Sequence, residues 1–140
     1  MLKETEILNA IRQNVEMGID GINIVIDNVD DKDFYAELKR ELKEYKEIYY
    51  EADCLLDDIG GEKSDVKATA KIAAHLSGKV KIRNGSTSKI AESMIEGSTM
   101  GVTKIIKHIN DYAKDDRALE IAKKLLLTEE NNIEQLKKFL

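Results

Sequence analysis

Apolar positions recur every three or four residues through most of the chain, the spacing that lays a stripe along one face of an α-helix. Ile7, Ile11, Val15, Gly18, Ile22, Val25 and Val29 form the first stripe. Val29-Asp30-Asp31-Lys32-Asp33 then supplies a loop and an N-cap, because a short carboxylate accepts the orphan N–H groups of a starting helix. Phe34, Leu38, Leu42, Tyr45, Ile48/Tyr49, Ala52, Leu55/Leu56 and Ile59 make the second stripe, with Arg40/Glu44 and Lys43/Glu47 spaced for i,i+4 pairing outside it. Gly60-Gly61 stops it. A third stripe runs through Ile90, Met94, Gly97, Gly101, Ile105, His108/Ile109 and Tyr112, after Asn84-Gly85-Ser86-Thr87-Ser88. The fourth follows the cap residues Asp115-Asp116 through Leu119, Ala122, Leu126, Glu129, Ile133, Leu136 and Leu140.

These stripes predict one domain over 1–140 with four helices of near-equal length, about 4–29, 33–59, 88–113 and 116–139. At about 1.5 Å per residue each spans on the order of 38 Å. Equal helices joined by short loops pack as two antiparallel hairpins, so the pattern predicts an all-α, up-down four-helix bundle. Residues 62–87 are too many for a simple connection and carry their own period in Val66, Ala70, Ala73, Leu76 and Val80. A crossover helix is expected at about 65–82.

Composition sharpens this picture. The 140 residues are 42% hydrophobic and 35% charged, with no Pro and no Trp, a mix that suits long helices and disfavours an all-β domain. A net charge of −5 argues against a general nucleic-acid binder. One Cys and two His exclude the usual Cys/His zinc sites and an intrachain disulfide. No apolar run approaches the length of a membrane span, and Lys3-Glu4-Thr5-Glu6 interrupts any signal-peptide core, so a cytoplasmic protein is expected.

Three stretches resemble the ferritin-like superfamily, and more closely small bacterial ferritin-like bundle proteins of unassigned role: Leu42–Gly61 (LKEYKEIYYEADCLLDDIGG), Ile90–Val102 (IAESMIEGSTMGV) and Glu129–Leu140 (EENNIEQLKKFL). With the crossover, the similarity covers most of the chain. Metal-binding members of that superfamily hold two ions with a Glu from each of two helices and a Glu-x-x-His from each of the others. The resemblance puts the second-helix motif on Tyr45 and Ile48, the fourth-helix motif on Glu129 and Asn132, and the third-helix Glu on Ser98, with Glu96 on another face. The first helix offers Glu16 or Asp20 at that level. With no His and at most two carboxylates, the di-metal site reads as degenerate, and neither metal nor cofactor is expected; were a metal held, Glu129, Asn132, Glu16 and Asp20 would be its ligands. Tyr45, Ser98, Glu129 and Asn132 are instead expected as a buried polar layer that fixes helix register, with a raised pKa for an unpaired Glu129.

His75 and His108 have no acidic partner at ligand spacing, and Cys54 has no basic neighbour, so both types read as structural. Gly18, Gly21, Gly97 and Gly101 imply close helix crossings, or room for a ligand or a methionine. From Lys63 to Lys89 the chain carries net +6 against −11 elsewhere, and Lys67, Lys71, His75, Lys79, Lys81 and Arg83 form a candidate anion-binding stripe. The leading expectation is a non-enzymatic bundle that works through protein interaction, as a homo-oligomer or with an acidic protein partner, without nucleic acid and without membrane insertion. The alternatives are a metal-binding or redox protein with an atypical core site, and an anion-binding module acting through the crossover.

Overall fold

A computed structural model describes residues 1–64 and 86–140. The expected crossover helix at 65–82 and the stripe Lys67, Lys71, His75, Lys79, Lys81 and Arg83 lie outside the described residues. Four long helices account for nearly all the rest: α1 (Glu4–Val25), α2 (Lys32–Ile59), α3 (Thr87–Asn110) and α4 (Arg117–Leu136). Their starts are capped from the sequence. Asp31 accepts the Phe34 N–H at 2.8 Å, Asp116 accepts that of Leu119 at 3.2 Å, and Ser86 accepts that of Lys89 at 3.4 Å. Gly60 ends α2 at φ 64°, the left-handed region that an L side chain rarely enters.

Three ends differ from the periodicity, the fourth helix stopping at Leu136 before a 3-10 turn, Lys137–Phe139. The first helix gives way after Val25 to a single 3-10 turn, Ile26–Asn28, within the β-branched run Ile24-Val25-Ile26 that helices tolerate less well. The third stops at Asn110 because Tyr112 turns inward and donates its hydroxyl to Asp116 at 2.6 Å, which draws the chain into the next helix.

Cross-links between helices define their directions. The Leu2 N–H reaches the Asp111 carbonyl at 3.0 Å and the Asn14 side chain reaches the Gly101 carbonyl at 3.0 Å, so α1 and α3 are antiparallel. Arg12 meets Tyr49 and Asp53, which makes α1 and α2 antiparallel. Arg40 meets Asn132 while Glu51 meets Lys124, so α2 and α4 are antiparallel too. The order is therefore up, down, down, up. Within each hairpin the helices alternate as expected, but α2 and α3 run parallel on one diagonal, and α1 touches α4 across the other. The segment 65–85 joins helix ends that lie at opposite ends of the bundle.

The stripes converge on one apolar core. Ile7, Leu8, Ile11, Phe34, Leu38, Ile48, Leu56, Ile90, Ile105, Ile121 and Leu125 are fully buried, each worth about 1.5–3 kcal/mol of transfer free energy. Among the described residues no helix is long and apolar enough to cross a membrane.

Candidate functional site

Polar side chains from all four helices interrupt this core at one region of the bundle. Glu41 and Tyr45 stand one turn apart on α2, Glu129 and Asn132 one turn apart on α4, Ser98 and Gly101 on α3, and Asn14 and Gly18 on α1. Tyr45 and Glu129 are 2% exposed, Glu41 1% and Asn132 0%, so any charge here has lost its water.

Tyr45 is the centre of the group. Its ring lies where a side chain on residue 18 would be, since a Cβ on Gly18 would come within 2.8 Å of it. Its hydroxyl is within hydrogen-bonding reach of Asn132 and Ser98. Burial, followed by the nearby Glu129 and Glu41, pushes its pKa far above the ordinary phenol value. Asn132 accepts a hydrogen bond from Arg40 Nη2 at 3.2 Å, while its Nδ2 has no well-aligned acceptor among the described residues.

Arg40 carries the layer out to the rim, where its guanidinium also pairs with Glu37 and Glu44. Burial opposes ionisation of Glu37, but hydrogen bonding from Glu41 and the Arg40 charge outweigh it and hold its pKa below the usual value. Glu41 moves the opposite way. Burial first, then the neighbouring Glu37, push it up to about 10, so it is a neutral carboxyl at pH 7 that shares its proton with Glu37. Neither Glu41 oxygen finds a well-aligned donor.

Glu129 is pushed up to about 8, by burial. Among the described residues its Oε2 has no hydrogen-bond partner, and its carboxyl lies against Gly101, in the space that a Cβ there would fill. Gly18 and Gly101 thus make room for Tyr45 and Glu129 rather than for a methionine or a bare backbone crossing. Gly97 differs, with open space at its Cβ position.

Glu16 and Asp20 sit apart from this group, half-buried and one turn from each other on α1. Burial raises both, the Asp20 charge raises Glu16 further, and Arg12 opposes that rise. Among the described residues no three His, Cys, Asp or Glu side chains converge, so Glu16 and Asp20 do not gather with Glu129 into a ligand set. A ferritin-like di-metal centre needs roughly four to six hard ligands. The donors present are two carboxyls whose pKa burial raises, two amides, a phenol and a hydroxyl, with no imidazole, and they do not fit one.

A second polar cluster centres on the buried Arg12. Nη1 donates to Asn9 at 2.8 Å and to the Ser64 carbonyl at 3.0 Å, Nη2 donates to the Tyr49 hydroxyl at 3.1 Å, and Nε faces Asp53 at 3.3 Å. Asn9 donates to the Glu62 carbonyl, and Lys63 pairs with Asp53 and Asp57. These contacts fasten residues 62–64 to the end of the α1–α2 hairpin. His108 Nδ1 lies 2.8 Å from the Lys104 carbonyl, and Cys54 is a half-buried free thiol.

Glu41, Asn14 and Arg12 escaped the sequence reading. The signal for Glu41 was present, since it lies one turn from both Leu38 and Tyr45 on the same stripe. Arg12 stands four residues after Leu8, where the chain keeps an arginine in an otherwise apolar position. No protein-family model matches the chain, and no curated protein and no solved structure matches it.

Proposed function

We propose that this chain is a ferritin-like helical bundle that has no di-metal chemistry and works through its surface as a protein-interaction module. The observation that supports this reading most is the state of Glu129. It stands where the resemblance puts a metal-ligating carboxylate, yet among the described residues no group of three His, Cys, Asp or Glu side chains that could hold a metal ion forms around it, and burial pushes its pKa up, away from the carboxylate form that a hard cation needs. The single long connection between two hairpins, with α2 and α3 parallel, is the topology of ferritin-like bundles and supports the fold side of the proposal.

The competing reading, a metal-binding or redox protein with an atypical core site, draws on the Glu129 Oε2 atom, which has no hydrogen-bond partner among the described residues. One experiment separates the two. Protein purified without chelator is assayed for metal, then titrated anaerobically with Fe(II) and exposed to oxygen. The interaction reading expects no near-stoichiometric metal and oxidation at the background rate. Near-stoichiometric metal that Glu129→Ala abolishes would establish the competing reading instead.

A further inference from the structure

The outer face of α2 carries a basic stripe. Lys39, Lys43 and Lys46 follow one another at i, i+4 and i+7, and all three are exposed. The sequence offers Glu47 as a partner for Lys43, but neither Lys43 nor Lys46 makes an ion pair among the described residues. Lys39 rests its ammonium over the Tyr35 ring at 5.6 Å. These lysines border an open groove of about 480 Å³ with Leu42, Glu47 and Tyr50. Leu42 forms its buried floor, and Tyr50 stands at the end of the stripe with 70% of its surface exposed.

We propose that this groove docks an acidic amphipathic helix of a partner protein, with carboxylates facing Lys39, Lys43 and Lys46 and an apolar side chain set between Leu42 and Tyr50. Charge complementarity selects that occupant. Three lysines without an ion pair among the described residues, on a chain of net charge −5, form a local basic field, and they span only about 10 Å of helix axis, two turns of a partner helix. A longer polyanion such as nucleic acid, or an anionic bilayer, would run onto Glu44 and Glu47 beside the stripe. An exposed tyrosine next to an aliphatic floor is the amphipathic anchor that interface centres favour. The inference rests on the interaction reading above and names the partner's chemistry.

The test is fluorescence anisotropy with the full chain and a labelled helical peptide bearing Glu at i, i+4 and i+7 with a leucine on the same face. Saturable binding is expected, weakened about tenfold or more by Lys39→Glu/Lys43→Glu/Lys46→Glu and weakened also by Tyr50→Ala. A peptide with Lys in place of Glu is expected to recover binding to the triple variant, which a folding defect could not produce. The proposal is overturned by absence of saturable binding or by equal affinity of the triple variant. It is overturned equally by tighter capture of a DNA duplex or phosphatidylserine vesicles, or by self-association of the chain through the same lysines. Iron uptake in the preceding experiment would defeat the interaction reading itself. Peptide failure without iron uptake would defeat only the docking assignment.

Discussion

The Glu129 carboxyl occupies the space that a side chain on residue 101 would fill, both its oxygens crowding the position of a Gly101 Cβ. This contact couples α4 to α3 at the polar layer. The Gly101 carbonyl on the same turn accepts the Asn14 amide, so α1 is held at the same level.

Gly101→Ala is therefore expected to destabilise the fold by about 1–3 kcal/mol, the usual cost of overpacking a filled site. Gly97→Ala, one turn earlier on the same helix, has open space at its Cβ and should stabilise by about 0.5–1 kcal/mol through helix propensity alone. Urea denaturation of the two variants checks the contrast. Equal effects would mean that the carboxyl does not sit against α3.

The two buried carboxyls set the pH dependence. Unfolded, Glu129 titrates near 4.5; folded, it titrates at about 8, so between these values the folded chain holds a proton that the unfolded chain has lost. Stability from this group is full below about pH 4.5 and falls as pH rises to about 8, by about 1.4 kcal/mol per pH unit. Glu41 acts in the same direction up to about pH 10. Denaturation midpoints should fall from pH 5 to pH 8, and Glu129→Gln should gain on the wild type across that window. A profile that rises with pH would contradict the protonated layer.

Arg12 makes a different kind of claim. Its planar fork reaches Asn9, Tyr49, Asp53 and the Ser64 carbonyl at once, a geometry that an ammonium cannot reproduce. Arg12→Lys should cost about 2–3 kcal/mol through the lost charge-assisted hydrogen bonds. Thermal denaturation reads this directly. Loss of well under 1 kcal/mol would show that residues 62–64 are fastened by Asn9 and Lys63 instead.

The helices were legible because their apolar stripes, carboxylate caps and Gly60-Gly61 stop act locally, within one or two turns. Direction was less so. A crossover long enough to run back along the bundle was visible, but the parallel α2–α3 arrangement depends on cross-links such as Leu2 to Asp111 that no local pattern encodes. The residues Tyr45, Ser98, Glu129 and Asn132 could be named from periodicity and resemblance, and all four are buried. Glu41 was missed because a glutamate beside Glu37 and Glu44 reads as part of a solvated charged face, whereas burial and the neighbouring Glu37 push its pKa up and favour the neutral form. The glycines signalled a close approach, yet which side chain would fill each gap required the packing of α2 and α4.

Burial pushes the Glu129 carboxyl up to about 8, and carbon-13 NMR of its carboxyl carbon, assigned by Glu129→Gln, reads its protonation in the buried polar layer. A titration midpoint of about 8 is expected, with a resonance that does not move when Mn(II) or Zn(II) is added at pH 6.5. A midpoint near the ordinary glutamate value, or a resonance broadened by Mn(II) at stoichiometric concentration, would contradict this expectation and return the bundle core to metal chemistry.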